Sequence, residues 1–239
     1  MAKLTSSCAI LQPTYLPWSG YFNLMNDVDH FVFLIDVQYE RRSWQMRNRV
    51  ALNGNEHLLT IPIAKCSQTT LLLNVMTRID TEWIPHHWNI LTSSYKKCKH
   101  GPEVLDLLEP HYQTINESRS LIDFNIQIIK QLASYLSVKC TMHDSSQLTS
   151  HGTRSQKLAS LCHNLGCDDY LSPVGSRAYL EEDGFVQNYK IDLSFQNFTP
   201  VFYKQHKCDQ FISHLSMIDV IANLGQAAAR DYIQSSTTC

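Results

Sequence analysis

Residues 7–37 read SCAILQPTYLPWSGYFNLMNDVDHFVFLIDV. Two short apolar runs, SCAILQ (7–12) and HFVFLIDV (30–37), enclose a polar interval with room for one loop and one short helix. The first run stops at Pro13. The second is dominated by Phe, Val, Ile and Leu. Both have the length and composition of buried strands. Pro13 and Pro17 bracket an irregular loop, and Ser19 stands where it can cap a helix over residues 20–27. Strand, loop, helix, strand in this order is a βαβ unit, which makes the two strands parallel. The expectation is an α/β fold: a mainly parallel sheet flanked by helices, with a helical C-terminal half.

Outward from this unit, residues 39–49 are polar and basic, and HLLTIPIA (57–64) reads as a third strand after an Asn-Gly turn at 53–54. Residues 85–98 read as helical. So do 117–137, where Leu121, Phe124, Ile128, Leu132 and Leu136 fall on one helical face. A polar loop (145–155) precedes a helix over 155–166 that Gly166 closes. A strand over 168–174 turns at Gly175 and Ser176 into the helix SRAYLEED. Residues 191–203 read as a strand, and 214–233 as a final helix. No repeat is visible. The expected organisation is one α/β domain over 1–239, with a helical subdomain over about 85–140 and a flexible tail at 234–239.

Composition narrows the function classes. The chain has 239 residues, and 44% are apolar, enough for a substantial core. Only 18% are charged, against about 25% in an average globular protein. The net charge is 20 − 22 = −2, whereas a nucleic-acid-binding surface is normally basic, so no nucleic-acid partner is expected. No apolar run nears the ~20 residues needed to span a membrane. The N-terminus lacks the apolar core of a signal peptide, and a cytoplasmic location is expected. The eight cysteines show no C-x-x-C pair and read as reduced thiols. His86 and His87 are adjacent, about 100° apart on a helix, and no zinc-ligand spacing occurs, so no metal and no cofactor are expected. P-loop, dinucleotide and nucleophile-elbow motifs are all missing from the sequence.

Two segments carry chemistry. The first is Gln12–Tyr21, QPTYLPWSGY, where a strand passes into a helix. Ligands of parallel sheets collect at the carboxyl ends of strands, and a helix start presents unpaired N–H groups to an anion. Tyr15, Trp18 and Tyr21 offer flat faces to a ring, and Gly20 allows close backbone approach. The same loop also reads as a packed turn with its aromatics in the core. The second is Asp36–Arg49, DVQYERRSWQMRNR. Arg41, Arg42, Arg47 and Arg49, four of the nine arginines, fall here beside Trp44 and Gln38. The guanidinium fork suits phosphate or carboxylate, although such a run is also the usual face of a solvated hairpin. Gly175 and Tyr179 mark a further strand–helix corner.

The string AILQPTYLPWSGYFNLMNDVDHFVFLIDVQYERRSWQMRNRV resembles the N-terminal signature of the WbqC-like proteins. LCHNLGCDDYLSPVGSRAYL and FISHLSMIDVIANLG are similar to later segments of that family, so the resemblance runs from about residue 8 to 225. Residues 64–74 and 143–155 depart from it. The resemblance implies a role in bacterial O-antigen and other surface-polysaccharide synthesis. The implied reaction is transfer of an acyl or aminoacyl group, from a carrier protein or CoA thioester, to the amine of a nucleotide-linked amino sugar. Asp36, Arg47 and Asn48 are then the candidate catalytic groups. Gln12, Tyr15, Trp18, Gly20, Tyr21, Gln38, Arg41, Arg42, Trp44, Arg49, Gly175 and Tyr179 are the candidate substrate contacts. Two other readings compete. A nucleotidyltransferase of the H-x-G-H type would keep phosphate-binding histidines where this chain has Trp18 and Tyr21. A non-catalytic protein would use the same pocket only to hold a sugar nucleotide.

Overall fold

Strand β1 (Ser7–Leu11) passes through a loop into helix α1 (Ser19–Asn26) and returns as β2 (His30–Phe33) in a computed structural model that describes residues 6–78, 82–113 and 119–235. The chain then leaves the sheet for a hairpin, β3 (Arg47–Leu52) and β4 (Asn55–Thr60). Three helices follow: α2 (Trp83–Tyr95), α3 (Gly101–Gln113) and α4 (Leu121–Tyr135). Strand β5 (Thr141–Asp144) re-enters the sheet, and α5 (Arg154–Leu165) leads to β6 (Asp169–Ser172). Helices α6 (Arg177–Glu182) and α7 (Phe185–Tyr189), strand β7 (Asp192–Phe195), and helices α8 (Met217–Leu224) and α9 (Gln226–Gln234) complete the described chain.

The main sheet has the order β5-β2-β1-β6-β7, and every neighbouring pair is parallel. The protein is thus an α/β fold with helices flanking a parallel sheet and further helices in its C-terminal part. Side chains alternate across the sheet. Ala9, Phe31 and Phe33 join the larger core with α1, α4, α8 and α9, while Cys8, Ile10 and Val32 join a smaller core with α5 and α6. Burial on both faces accounts for the unbroken apolar runs of the first two strands. Helices α2 and α3 share the larger core. Among the described residues, no helix is long and apolar enough to cross a membrane.

Several local expectations change. Residues 57–64 do not supply the sheet's third strand: β4 pairs antiparallel with β3 in a separate two-stranded ribbon, from Arg47↔Thr60 to Leu52↔Asn55. The third parallel strand in chain order is β5, four residues with two histidines or acids among them, too polar and short to stand out. Ser19 is not the cap of α1. Trp18 occupies that position without a side-chain cap bond. The final helix is two helices, because Gly225 sits at φ 81, ψ 173 between them. Helix α9 runs to Gln234, and the expected tail beyond Ser235 lies outside the described residues. The seven described cysteines are free thiols; Cys239 lies outside the described residues.

Candidate functional site

The chain runs from β1 outward to β2 and β5 on one side, then returns to place β6 and β7 on the other. The direction of winding therefore switches between β1 and β6. The carboxyl ends of two such strands diverge, and their loops leave in opposite directions, opening a crevice. A cavity of about 520 Å³ lies there. Its lining draws on the end of β1 (Ile10, Leu11, Gln12, Thr14), on Tyr170 and Pro173 at β6, and on Ser176 and Tyr179 leading into and along α6. Leu34, Leu158, Trp18 and Tyr21 add to it, and Glu40, Ser43, Trp44, Gln45, Asn48, Arg49 and His214 form the side toward the hairpin.

The loop after β1 and the arginine-rich segment meet as the parallel strands require. Tyr15 N donates to Trp44 O at 3.0 Å. The Asn48 amide donates to Tyr15 O at 2.9 Å and Leu16 O at 2.7 Å, and its oxygen accepts from Arg49 N at 2.7 Å. Asn48 is buried, and all three bonds go to backbone. It clamps a loop in which Leu16 is held at φ 44, a conformation that side chains rarely adopt. From the other side, the Asn125 amide donates to Pro13 O and Gln45 O. Gln45, 6% exposed, bonds to Gln12 through its amide nitrogen, and its oxygen has no hydrogen-bond partner among the described residues.

The outer rim is aromatic and cationic. The guanidinium carbons of Arg47 and Arg49, two residues apart on β3, lie 5.5 and 5.4 Å from the centroid of the Trp44 ring, which is 45% exposed. Arg49 also reaches Glu56 at 3.1 Å and the carbonyl of His214 at 3.3 Å. The His214 ring lies against Trp18, tilted by 31°, with centroids 4.9 Å apart. Burial, reinforced by the Arg49 charge, lowers the pKa of His214 below the ordinary histidine value, which favours the neutral imidazole. Trp18 lies flat over Gly20, where an added Cβ would fall 2.1 Å from the indole. Gly20 therefore makes room for Trp18 and is not itself a lining residue.

Other expected site residues lie elsewhere. Tyr15 is fully buried beneath the loop, its hydroxyl 2.9 Å from His87 Nδ1 and 2.6 Å from the Tyr112 hydroxyl. Asp36 is not among the lining residues. Lys157 Nζ lies 2.5 Å from one of its oxygens, and Ser145 donates to the other. Burial pushes the Asp36 carboxyl up, but the Lys157 ammonium and Ser145 outweigh it and hold it below the usual carboxylate range. Gln38 donates to Gln68 O, and Arg41 reaches Cys66 O at 3.5 Å. Arg42 is exposed at φ 59. Arg47 stacks on Trp44 just outside the lining, and Gly175 sits between the lining residues Pro173 and Ser176. Of the candidates, Gln12, Trp18, Tyr21, Trp44, Asn48, Arg49 and Tyr179 face the cavity. Glu40, Ser43, Gln45 and His214 were not anticipated. Pairing across the chain brings in His214: Ser216 N donates to Arg49 O, and Met217 N to Pro17 O. Among the described residues, no group of three or more His, Cys, Asp or Glu is arranged to hold a metal.

The sequence profile of the WbqC-like protein family matches residues 12–231, which includes both loops of the cavity and its α6 wall. The chain belongs to the WbqC-like protein family. An uncharacterized protein of Mycobacterium tuberculosis (strain ATCC 25618 / H37Rv) is 28% identical over 228 residues, covering 95% of this chain and 96% of that one. This WbqC-like chain matches no solved structure.

Proposed function

We propose that this WbqC-like protein is a transferase that binds a nucleotide-linked amino sugar in the switch-point cavity and moves an acyl or aminoacyl group onto its amine. One observation carries the reading: the crevice where a parallel sheet gathers ligands is rimmed by Trp44, Arg49, Trp18 and His214. Arg49 matches a phosphate, and the indoles match a base or sugar face. In the proposed step the sugar amine attacks a thioester carbonyl. A C–N bond forms, the amine proton passes to His214, the C–S bond breaks, and the proton leaves with the thiol. His214 takes the role of base because it faces the cavity, while Asp36 is occupied by Lys157 and Ser145. No established cofactor is required. A bacterial cytoplasmic setting in surface-polysaccharide synthesis fits this chemistry.

The test is product formation. Incubation with nucleotide-linked amino sugars and acyl thioesters yields an N-acylated sugar nucleotide, detected by mass spectrometry. His214→Gln lowers kcat by about 10²–10⁴-fold with little change in sugar-nucleotide affinity. A neutral base also fixes the pH profile. The His214 contribution to the rate falls as pH drops through the His214 pKa, which lies below 6.5. An unchanged His214→Gln rate defeats the assignment. A nucleotidyltransferase of the H-x-G-H type would place imidazoles where Trp18 and Tyr21 face the cavity from the strand–helix junction, which lowers that reading. Pyrophosphate release from a nucleoside triphosphate would favour it instead.

A further inference from the structure

We propose that the inner half of the cavity is an acyl-chain site, so that the donor carries a plain hydrocarbon chain and not an aminoacyl group. The proposal rests on the transferase reading for its reaction, but on separate residues for its site. Ile10, Leu34, Leu158, Tyr170, Pro173 and Tyr179 form the floor. Ile10, Leu158 and Tyr170 belong to the smaller core between the sheet and α5, and Leu34 and Tyr179 pack against it. The cavity thus lies against the edge of a hydrophobic core: Ile10, Leu158 and Tyr170 are buried, and Leu34, Pro173 and Tyr179 are half-buried. The strands Ile10 and Tyr170 belong to end here, and the loops that would cap the core turn away on opposite sides of the switch point.

Such a floor discriminates between donors. Its only polar side-chain atoms are two tyrosine hydroxyls. Among the described lining residues the sole carboxylate is Glu40, which is exposed at the hairpin side. The α-ammonium of an aminoacyl group would lose its water without gaining a counter-charge. A methylene chain has no polar hydration to lose and gains burial. Sugar hydroxyls and phosphates, which need partners, are better served by Gln12, Gln45 and Arg49 on the other wall. The two walls thereby separate donor chain from acceptor.

The experiment titrates the full-length protein with acyl-pantetheines from acetyl to octanoyl, with glycyl-pantetheine, and with the matching acyl-CoAs, following Trp18 and Trp44 fluorescence and calorimetry. Affinity is expected to rise about fourfold per methylene, equivalent to about 0.8 kcal/mol, until the floor is filled. Glycyl-pantetheine is expected to bind more weakly than propionyl-pantetheine. Leu34→Phe, which narrows the floor, is expected to shorten the chain at which the gain stops; an unchanged melting curve verifies its fold. A flat chain-length series, or glycyl binding at least as tight as propionyl, overturns the proposal, and the wild-type series decides this without any variant. Tighter binding of acyl-CoA than of acyl-pantetheine, with the chain dependence intact, makes CoA the carrier. Equal binding points to a protein-borne pantetheine. A sugar-nucleotide titration runs in parallel. If it fails while the chain dependence holds, the transferase reading falls and the acyl site stands.

Discussion

Asn48 is the residue on which the site's geometry turns, although its amide is spent on backbone. Its amide satisfies two carbonyls of a buried loop, and burying a polar group without a partner costs about 1–3 kcal/mol. Asn48→Ala should therefore lose about 2–4 kcal/mol in urea unfolding, with no change in the denaturant slope; a loss below 1 kcal/mol would mean the loop is held by other contacts. Gly20 and Trp18 make a second test. The indole occupies the space a Cβ would need, so Gly20→Ala should displace Trp18, cost about 1–3 kcal/mol and weaken ligand binding. In the Trp18→Ala background the same change should cost less, because the clash is gone. The sequence made both segments visible as candidates, but not how they would divide the work. Tyr15 and Asp36 have the residue types of ligand contacts, and only their surroundings (His87 and Tyr112 for one, Lys157 and Ser145 for the other) turn them inward. Those partners lie 72 to 121 residues away, beyond any local pattern.

At the level of elements, the parts of the fold readable in the sequence are those whose burial is two-sided or whose ends carry a conformational marker. β1 and β2 are apolar after their first residues because both faces are covered, and α5 ends at Gly166 in the left-handed region. The sequence marks β4 and its Asn-Gly turn, but β3, its pairing with β4, and β5 are not legible, for the converse reason. β4 exposes most of its residues, and β5 is a four-residue edge strand whose pairing partner β2 supplies the ladder. The α8–α9 corner shows a marker passed over: Gly225, at φ 81, follows a clean apolar helix. Gly225→Ala should destabilise the protein by about 1–3 kcal/mol, since it strains the backbone and brings a Cβ to 2.7 Å from the His100 ring. Thermal unfolding checks it, and an unchanged melting temperature would show that the corner can re-form.

For the molecule as a whole, the buried His87 sets an acid limit. Burial lowers its pKa from 6.5 to about 4, so the folded state binds its proton less readily than the unfolded chain does. Stability is full above pH 6.5 and falls as the pH drops toward 4, by roughly 3 kcal/mol in total. Asp219, whose carboxyl burial raises, works in the opposite direction at the acid end. His87→Gln isolates the histidine, and its pH–stability curve should lack this slope between 6.5 and 4. Strand order, cavity and rim coincide at the sheet's switch point, and ligand binding there is what defines the molecule's function. Its most direct test is a thermal-shift and tryptophan-fluorescence titration of nucleotide-linked amino sugars against wild type, Arg49→Ala and Trp44→Ala. At least one is expected to raise the melting temperature of the wild type and quench its fluorescence. Arg49→Ala should weaken that ligand by about 10- to 100-fold, as loss of a charge-assisted hydrogen bond of about 1.5–3 kcal/mol requires. Binding that both variants retain at wild-type strength, or a panel in which nothing binds, would contradict it.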